Sequence, residues 1–218
     1  MLLSQYSHKT ETLVIAREGE KTQHLKGFTS VYDLAQKAAN SAAPLAQLMQ
    51  EQGNADSVDL ANVQARATLM APITHPDPTH LHLTGTGLTH LGSAATRNSM
   101  HAKADPDTLT DTMKIIQMGL AGGRPAAGDI GAQPEWFYKG NGHAVTAPNQ
   151  PLVSPGFHDD GGEEPELAGI YVVSDDGTPC RLGWAQANVF SDHVMERVNY
   201  LYLAHSKLRP ASFGPEIL

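Results

Sequence analysis

Three features are scarce in this sequence: cysteine, basic residues and long apolar runs. Its 218 residues include one cysteine, Cys180, which excludes an intrachain disulfide framework and fits a reducing cytoplasm. The 15 Lys and Arg against 23 Asp and Glu give a net charge of −8, so a nucleic-acid partner is not expected, because phosphates require a basic face. The longest apolar runs, such as that around residues 170–173, are far shorter than the roughly 20 residues of a membrane span. The sequence therefore predicts a cytoplasmic protein with no membrane or nucleic-acid partner.

Enough apolar material is nevertheless present for a folded core, since 40% of the residues are hydrophobic and 17% are charged. In the first part, residues 13–16 form a β-prone run, and Ser30 is placed to cap a helix that has an apolar face. Ser41 is expected to cap a second helix with the following proline in its first turn, and residues 53–59 are expected to form a polar linker. These patterns predict a small N-terminal α/β domain over residues 1–68.

The second part of the sequence, residues 69–218, is rich in glycine, proline and short β-prone segments. A strand is expected over residues 82–84, and a helix is expected to follow Asp107 and to end at a pair of glycines. Two further strands, over residues 167–173 and 181–190, are joined by an Asp-Asp-Gly turn that is typical of a hairpin. The predicted fold class is α+β, with a small N-terminal domain and a β-rich second domain.

Two glutamates, Glu164 and Glu166, are the strongest local candidates for a functional site. If they lie in a strand, their side chains point to the same face, because side chains alternate with a period of two. Two carboxylates on one face repel each other unless a positive charge lies between them, and a hard divalent cation with oxygen ligands meets that need. The alternative is a solvated acidic turn that follows residues 159–162.

Lys139 and the glycines near residue 86 are candidates for binding an anion. Lys139 follows an aromatic run, and it either holds a substrate carboxylate, acts as an acid or base when desolvated, or is an exposed lysine at a strand end. Gly85, Thr86 and Gly87 lack the third glycine of a dinucleotide fingerprint, which argues against nucleotide binding. Backbone amides in such a loop are still able to cradle a carboxylate.

Histidines are concentrated between residues 75 and 101. His80 and His82 share a face if they lie in one strand, and such a pair suits zinc or iron. The same spacing also fits histidines that lie in loops or pack in the core.

Three short motifs occur in an order that is typical of one enzyme superfamily. They are Gly-x-Gly-Leu at residues 85–88, Phe-x-Lys at 137–139 and Glu-x-Glu-Leu-Ala at 164–168. Together they resemble the motifs of the fumarylacetoacetate hydrolase superfamily. Residues 86–101, 188–193 and 200–210 resemble its sugar-acid branch more specifically, and that branch contains 2-keto-3-deoxy-pentonate dehydratases.

The resemblance implies a mixed β-roll catalytic domain, usually in a homodimer, that binds a small-molecule 2-oxo acid. It implies that three acidic residues bind Mg²⁺ or Mn²⁺, and that Glu164 and Glu166 are two of them. It also implies that the metal binds the carboxylate and the 2-keto oxygen of the substrate. Lys139 matches a residue that contacts the substrate carboxylate or transfers a proton. The implied reaction is the dehydration of a 2-keto-3-deoxy pentonate to a 2-oxo acid semialdehyde.

Two positions depart from the pattern of that family. The third acidic ligand is expected after Asn188, where this sequence has Val189, and Asp192 is the candidate to replace it. The hydrolases carry a catalytic histidine in the loop after Gly-x-Gly-Leu, where this sequence has Ser93 with His90 close by. Loss of that base favours elimination over hydrolysis, and Ser93 and His90 are the further catalytic candidates.

The family also continues for about another hundred residues, a typical domain length, beyond the position that Leu218 matches. We therefore expect the β-roll to be incomplete at its C-terminus. Two alternatives to the dehydratase stay open. One is a hydrolase that cleaves the C–C bond of a 2,4-diketo acid, and the other is a fragment or paralogue that no longer catalyses.

Overall fold

The computed structural model describes residues 1–41, 43–87, 111–133 and 135–218, in which helices and strands are mixed in an α+β arrangement. The strands are β1 (Leu2–His8), β2 (Glu11–Glu18), β3 (Lys21–Leu25), β4 (Ala55–Ser57), β5 (Thr68–Leu69), β6 (His82–Gly87), β7 (Glu135–Asn141), β8 (Val145–Thr146), β9 (Pro165–Val173), β10 (Pro179–Asn188) and β11 (Ala211–Phe213). The α-helices are α1 (Val31–Ser41), α2 (Leu45–Gln52), α3 (Leu60–Arg66), α4 (Asp111–Gly122), α5 (His193–Val198) and α6 (Leu203–Lys207), and single 3₁₀ turns lie at Pro78–His80, Gly142–Ala144 and Tyr200–Tyr202. None of these described helices combines the length and the apolar character that are needed to cross a membrane.

The N-terminal part forms a five-stranded antiparallel sheet in the order β4-β3-β2-β1-β5. Strand β2 is buried on both faces, and its side chains alternate between two apolar clusters. Val14 and Ala16 pack with residues of α1 and α2 in the larger cluster, whereas Leu13 and Ile15 pack with Val63 of α3 in the smaller one. This division follows from the period of two along a strand.

A second sheet of four strands, in the order β8-β11-β10-β9, forms in the C-terminal part. Strands β9 and β10 form an antiparallel hairpin with an irregularity between Arg181 and Gly183, and β11 pairs in parallel with β8. Ile170 and Val172 of β9 are buried in the same cluster as Leu34 of α1. The N-terminal helices and the C-terminal hairpin therefore share one apolar core.

The described chain divides into two compact units, one of Met1–Leu83 with Lys139–Leu218 and one of Thr84–Tyr138. The division runs through β6 and β7, which pair as a two-stranded sheet. In the second unit Gly85 lies against the ring of Phe137, where a Cβ atom would be 2.2 Å from Cζ, so this position requires glycine. The larger unit includes both sides of the domain boundary that we place after residue 68, and that boundary stays a prediction.

The start of α1 is as predicted, but the two elements that follow it are not. The hydroxyl of Ser30 accepts the N–H of Asp33 at 2.9 Å and so caps α1. The hydroxyl of Ser41 donates to the carbonyl of Lys37 at 2.7 Å, so it closes α1, and α2 begins only after Pro44. Residues 55–57 form β4 instead of a linker, because they pair with β3 and satisfy its outer backbone groups.

Among the later elements the hairpin of β9 and β10 is confirmed, and so is the end of α4 at Gly122. The predicted start of that helix after Asp107 lies outside the described residues. Of the two alternatives for the histidines, the pair on one strand is not formed. His80 ends a 3₁₀ turn and is 2.9 Å from the carboxylate of Asp77, whereas His82 begins β6.

Candidate active site

Several polar side chains lie close together within the larger compact unit. They come from one strand, from the residue just before a second strand, and from two short helices. We call Lys139, Glu164, His193 and Lys207 the Lys–Glu cluster; they come from β7, from the residue before β9, and from α5 and α6. Hydrogen bonds join these elements although their residues are far apart in the sequence. The cluster is the candidate active site because it gathers several ionisable groups in a largely buried place.

Lys139 is a buried lysine whose amine is held by main-chain carbonyl groups. Phe137 and Lys139 lie on the same face of β7, and that face is buried, which leaves Lys139 3% exposed. Its amine donates to the carbonyl oxygen of Phe190 at 2.5 Å and to that of Lys207 at 2.9 Å. Burial, followed by the nearby charge of Lys207, lowers the pKa of Lys139 to about 8. An appreciable fraction of this amine is therefore neutral near neutral pH.

Glu164 supplies the carboxylate of the cluster, and hydrogen-bonding groups contact both of its oxygens. Its Oε1 accepts from Nζ of Lys207 at 2.5 Å and lies 2.9 Å from Nε2 of His193. Its Oε2 accepts from the hydroxyl of Ser191 at 3.3 Å, and its backbone N–H donates to the side chain of Asn188. Burial alone would raise the pKa of Glu164, but the charge and hydrogen bond of Lys207, with the hydrogen bond of His193, hold it below its usual value.

Asp192 and Arg209 form a buried ion pair that positions the loop after β10. Asp192 has no exposed surface, and its Oδ1 accepts the N–H of Met195, which caps α5. Its Oδ2 accepts the N–H of Asp159 at 2.9 Å and lies 3.1 Å from Nη2 of Arg209. Burial would raise the pKa of Asp192, but these N–H groups and the charge of Arg209 lower it. The pair therefore fixes the main chain on which His193 stands.

Glu166, the second predicted metal ligand, does not join Glu164 in the cluster. Strand β9 begins at Pro165, so Glu164 precedes the strand and the period-two argument does not apply to it. Glu166 is exposed, opposite Ala187 of β10.

The residues present do not fit a divalent cation in this arrangement. In the part of the chain that the structure describes, no three His, Cys, Asp or Glu side chains lie close enough together to hold an ion. Both oxygens of Asp192 are occupied by N–H donors, and the side chain of Val189 has no donor atom. Glu164, Glu166 and Asp192 as metal ligands stay a prediction that this arrangement does not support.

The remaining predicted site residues belong to the second compact unit or lie outside the residues that the structure describes. Gly85, Thr86 and Gly87 form the end of β6 instead of a loop, and they belong to the second compact unit, so their role in substrate binding stays a prediction. His90 and Ser93 lie outside the described residues.

Two members of the cluster, His193 and Lys207, were missed as individual candidates. Both lie in the segments 188–193 and 200–210 that carry the resemblance to the sugar-acid branch. The available signal was the presence of basic residues, such as Lys207, in a segment whose other residues are largely apolar. Lys139 was predicted, and it lies in the cluster.

An open cleft of about 550 Å³ lies beside the cluster and shares Asn188 and Phe190 with its surroundings. Its other polar lining includes Gln186, Ser212 and Glu163, and its lining contains no lysine, arginine or histidine. A cleft with an acidic residue and no cation does not favour an anion.

No protein-family model matches the chain, and neither does any curated protein. Solved structures do match it. They include 2-keto-3-deoxy-D-arabinonate dehydratase complexed with magnesium and 2,5-dioxopentanoate, with a TM-score of 0.63 and 19% identity. They also include fumarylacetoacetate hydrolase from the psychrophilic Exiguobacterium antarcticum, at 0.58 and 14%, and 2-hydroxyhepta-2,4-diene-1,7-dioate isomerase from Mycobacterium marinum, at 0.51 and 16%. Each match covers 100% of this chain and 66% of the other, so the chain spans just under two thirds of these structures.

At these identities the likeness establishes the fold, and an activity does not follow from the fold alone. The three structures named here are a dehydratase, a hydrolase and an isomerase, and each of the three is an enzyme. The chain therefore has a fold that it shares with a 2-keto-3-deoxy-D-arabinonate dehydratase and with a fumarylacetoacetate hydrolase.

Proposed function

We propose that the chain dehydrates a five-carbon 2-keto-3-deoxy sugar acid to a 2-oxo acid semialdehyde in the cytoplasm, with Lys139 as the group that accepts the proton. The observation that carries this proposal is the buried amine of Lys139, held by two carbonyl oxygens and with a pKa of about 8. A general base is most effective when its pKa lies near the working pH. The fold adds support, since one matching structure is a dehydratase that holds 2,5-dioxopentanoate, a 2-oxo acid semialdehyde.

The chemistry requires removal of a proton from C3 and loss of the hydroxyl group from C4. The 2-keto group makes the C3 protons acidic, and the neutral amine of Lys139 accepts one of them. The C4 hydroxyl leaves as water once a second group donates a proton, and His193 is the candidate donor in the cluster. A proton that moves from C5 to C3 converts the unsaturated 2-oxo acid into an enol with a C4=C5 double bond. The enol becomes the semialdehyde when its hydroxyl group loses a proton and C4 gains one.

The carboxylate of such a substrate needs positive charge in a chain that is acidic overall. Because Lys139 is neutral in this step, the positive charge comes from Lys207 and Arg209, which are paired with the carboxylates of Glu164 and Asp192. A buried group of this kind attracts an anion more strongly than an exposed one, because the local dielectric is lower. No step is assigned to Mg²⁺ or Mn²⁺, since the described residues do not fit such an ion.

The test is incubation of the protein with both C4 epimers of 2-keto-3-deoxy-pentonate, followed by detection of an aldehyde. We expect aldehyde formation by the wild type and a loss of at least about 100-fold in Lys139→Met, the usual range for a general base. Lys21→Met is the matched control, because Lys21 is an exposed lysine of β3. It should keep the rate of the wild type.

The same samples are tested with an acylpyruvate, which distinguishes the dehydratase from a hydrolase. Cleavage of the acylpyruvate without aldehyde formation would replace this proposal with the hydrolase. No turnover of either substrate by the folded protein would instead favour a chain that does not catalyse.

A further inference from the structure

The side chain of Lys207 lies against Glu164, one of the glutamates that the resemblance assigns to a metal ion. Its Nζ is 2.5 Å from Oε1 of Glu164 and 3.5 Å from Oε2 of Glu196, and the side chain is 4% exposed. A single ammonium group thus faces two carboxylates in a buried place. A divalent cation would serve the same purpose, because it too offsets carboxylates that lie close together.

We propose that the ammonium group of Lys207 takes the place of a divalent cation at Glu164, so that this site does not take up Mg²⁺ or Mn²⁺ while Lys207 is present. The proposal concerns metal binding and does not depend on the dehydratase activity.

Lys207 is held firmly in this position. It is the last residue of α6, and its own carbonyl oxygen accepts a hydrogen bond from the amine of Lys139 at 2.9 Å. Two residues further on, Arg209 pairs with the fully buried Asp192. These two contacts fix the main chain at Lys207, and burial of its side chain, which is 4% exposed, restricts the ammonium group.

A cation that displaced the ammonium group of Lys207 from Glu164 would find a poor set of ligands. His193 already lies 2.9 Å from the same oxygen of Glu164, and Asp192 is committed to Arg209 and to two backbone N–H groups. Val189 offers no ligand atom. The ion would also stand near the ammonium groups of Lys139 and Lys207, which repel it.

The test is Mn²⁺ binding to the metal-free full chain, followed by electron paramagnetic resonance of free Mn²⁺ and by calorimetry, without any assay of turnover. We expect the wild type to bind Mn²⁺ with a Kd no tighter than about 1 mM. Lys207→Met should bind at least tenfold more tightly, because Glu164 is then free to act as a ligand. The control Lys21→Met should bind as weakly as the wild type, and circular dichroism checks that each variant is folded.

The wild type decides the outcome even if Lys207→Met does not fold. Micromolar Mn²⁺ affinity that disappears in Glu164→Gln would overturn the proposal. A folded Lys207→Met that binds no more tightly than the wild type would also overturn it. Tight binding that survives in Glu164→Gln would lie elsewhere in the chain, and it would leave Lys207 as the cation at Glu164.

Discussion

At the scale of single residues, Lys139 is defined by what surrounds its amine. Two carbonyl oxygens satisfy two N–H groups, while burial and the charge of Lys207 oppose a third proton. Its pKa in the folded chain is about 8, well below the value of about 10.4 in an unfolded chain. Between these two values the unfolded chain binds the proton more strongly than the folded chain does.

The pH dependence of stability should show this difference. Because the unfolded state binds more protons in this window, the free energy of unfolding should rise with pH between about 8 and 10. Relative to Lys139→Met, we expect the wild type to gain about 2 kcal/mol over that range. Urea unfolding at several pH values measures it, and parallel pH profiles for the two proteins would contradict the lowered pKa.

Asp192 and Asp59 offer a comparison between a buried and an exposed helix cap. Both carboxylates accept an N–H at the start of a short helix, but Asp192 also pairs with the buried Arg209. Asp192→Asn should cost about 3 kcal/mol or more, because it leaves a buried guanidinium without a counter-charge. Asp59→Asn should cost only a few tenths of a kcal/mol, because asparagine caps about as well as aspartate. Equal losses in urea unfolding would show that the ion pair is not what matters.

At the scale of secondary-structure elements, Gly183 is a close contact between β10 and residues 217 and 218. The backbone of Trp184 exchanges two hydrogen bonds with Leu218, at 2.9 and 2.8 Å. A Cβ atom on Gly183 would be 2.3 Å from the carbonyl oxygen of Leu218 and 2.7 Å from Cγ2 of Ile217. Only glycine allows these segments to approach each other so closely.

Gly183→Ala should therefore destabilise the chain, whereas an alanine in open space should not. We expect a loss of about 1–3 kcal/mol for Gly183→Ala, the usual cost of overpacking. At Gly119 of α4, no atom lies within 4 Å of the position that an alanine methyl group would take, so Gly119→Ala should be neutral or should stabilise by up to about 1 kcal/mol. Thermal unfolding compares the two, and equal effects would contradict the close contact.

Local sequence patterns were enough for some elements and not for others. The Asp-Asp-Gly turn and the β-prone runs on either side predict the hairpin, because a turn and its strands are encoded by neighbours. Strand β1 carries polar residues such as Gln5. This side chain tolerates burial because its amide nitrogen donates hydrogen bonds to Ala71 O and Thr74 Oγ1. Those partners lie 66 and 69 residues away, and no local pattern reveals them.

Local sequence patterns likewise predict only part of the candidate site. Lys139 and Glu164 stand in recognisable motifs, so both could be chosen from the sequence. Their environment could not, since Lys207 is 43 residues from Glu164 in the sequence and its 2.5 Å contact depends on how α6 packs. The predicted pairing of Glu164 with Glu166 assumed that the strand begins at Glu164, whereas β9 begins one residue later.

At the scale of the whole molecule, β9 presents an apolar face that the described residues leave uncovered. Leu167, Tyr171 and Val173 alternate along this face, and each is more than half exposed. Exposed apolar patches of this kind often mark contacts between proteins. We propose that a second copy of the chain covers this face in a homodimer.

Sedimentation velocity tests the homodimer. The wild type should sediment as a dimer at micromolar concentration, and Tyr171→Lys should shift it toward the monomer, because a charge in an apolar interface must be desolvated. Val153→Lys is the control, since Val153 is also more than half exposed but is not part of β9. A monomeric wild type would contradict the proposed dimer.

The most direct test of Lys139 as the proton acceptor is the pH dependence of kcat/KM for dehydration of 2-keto-3-deoxy-pentonate. If the neutral amine is the base, kcat/KM rises about tenfold per pH unit below the pKa of about 8, and it falls again only where the proton donor of the reaction loses its proton. In Lys139→Met the residual rate should be low and should lack this rise, while Lys21→Met should retain it. Lys139 should titrate between about pH 6 and 9. A wild-type kcat/KM that does not change over this range would contradict the proposed role. Full activity in Lys139→Met would contradict it as well.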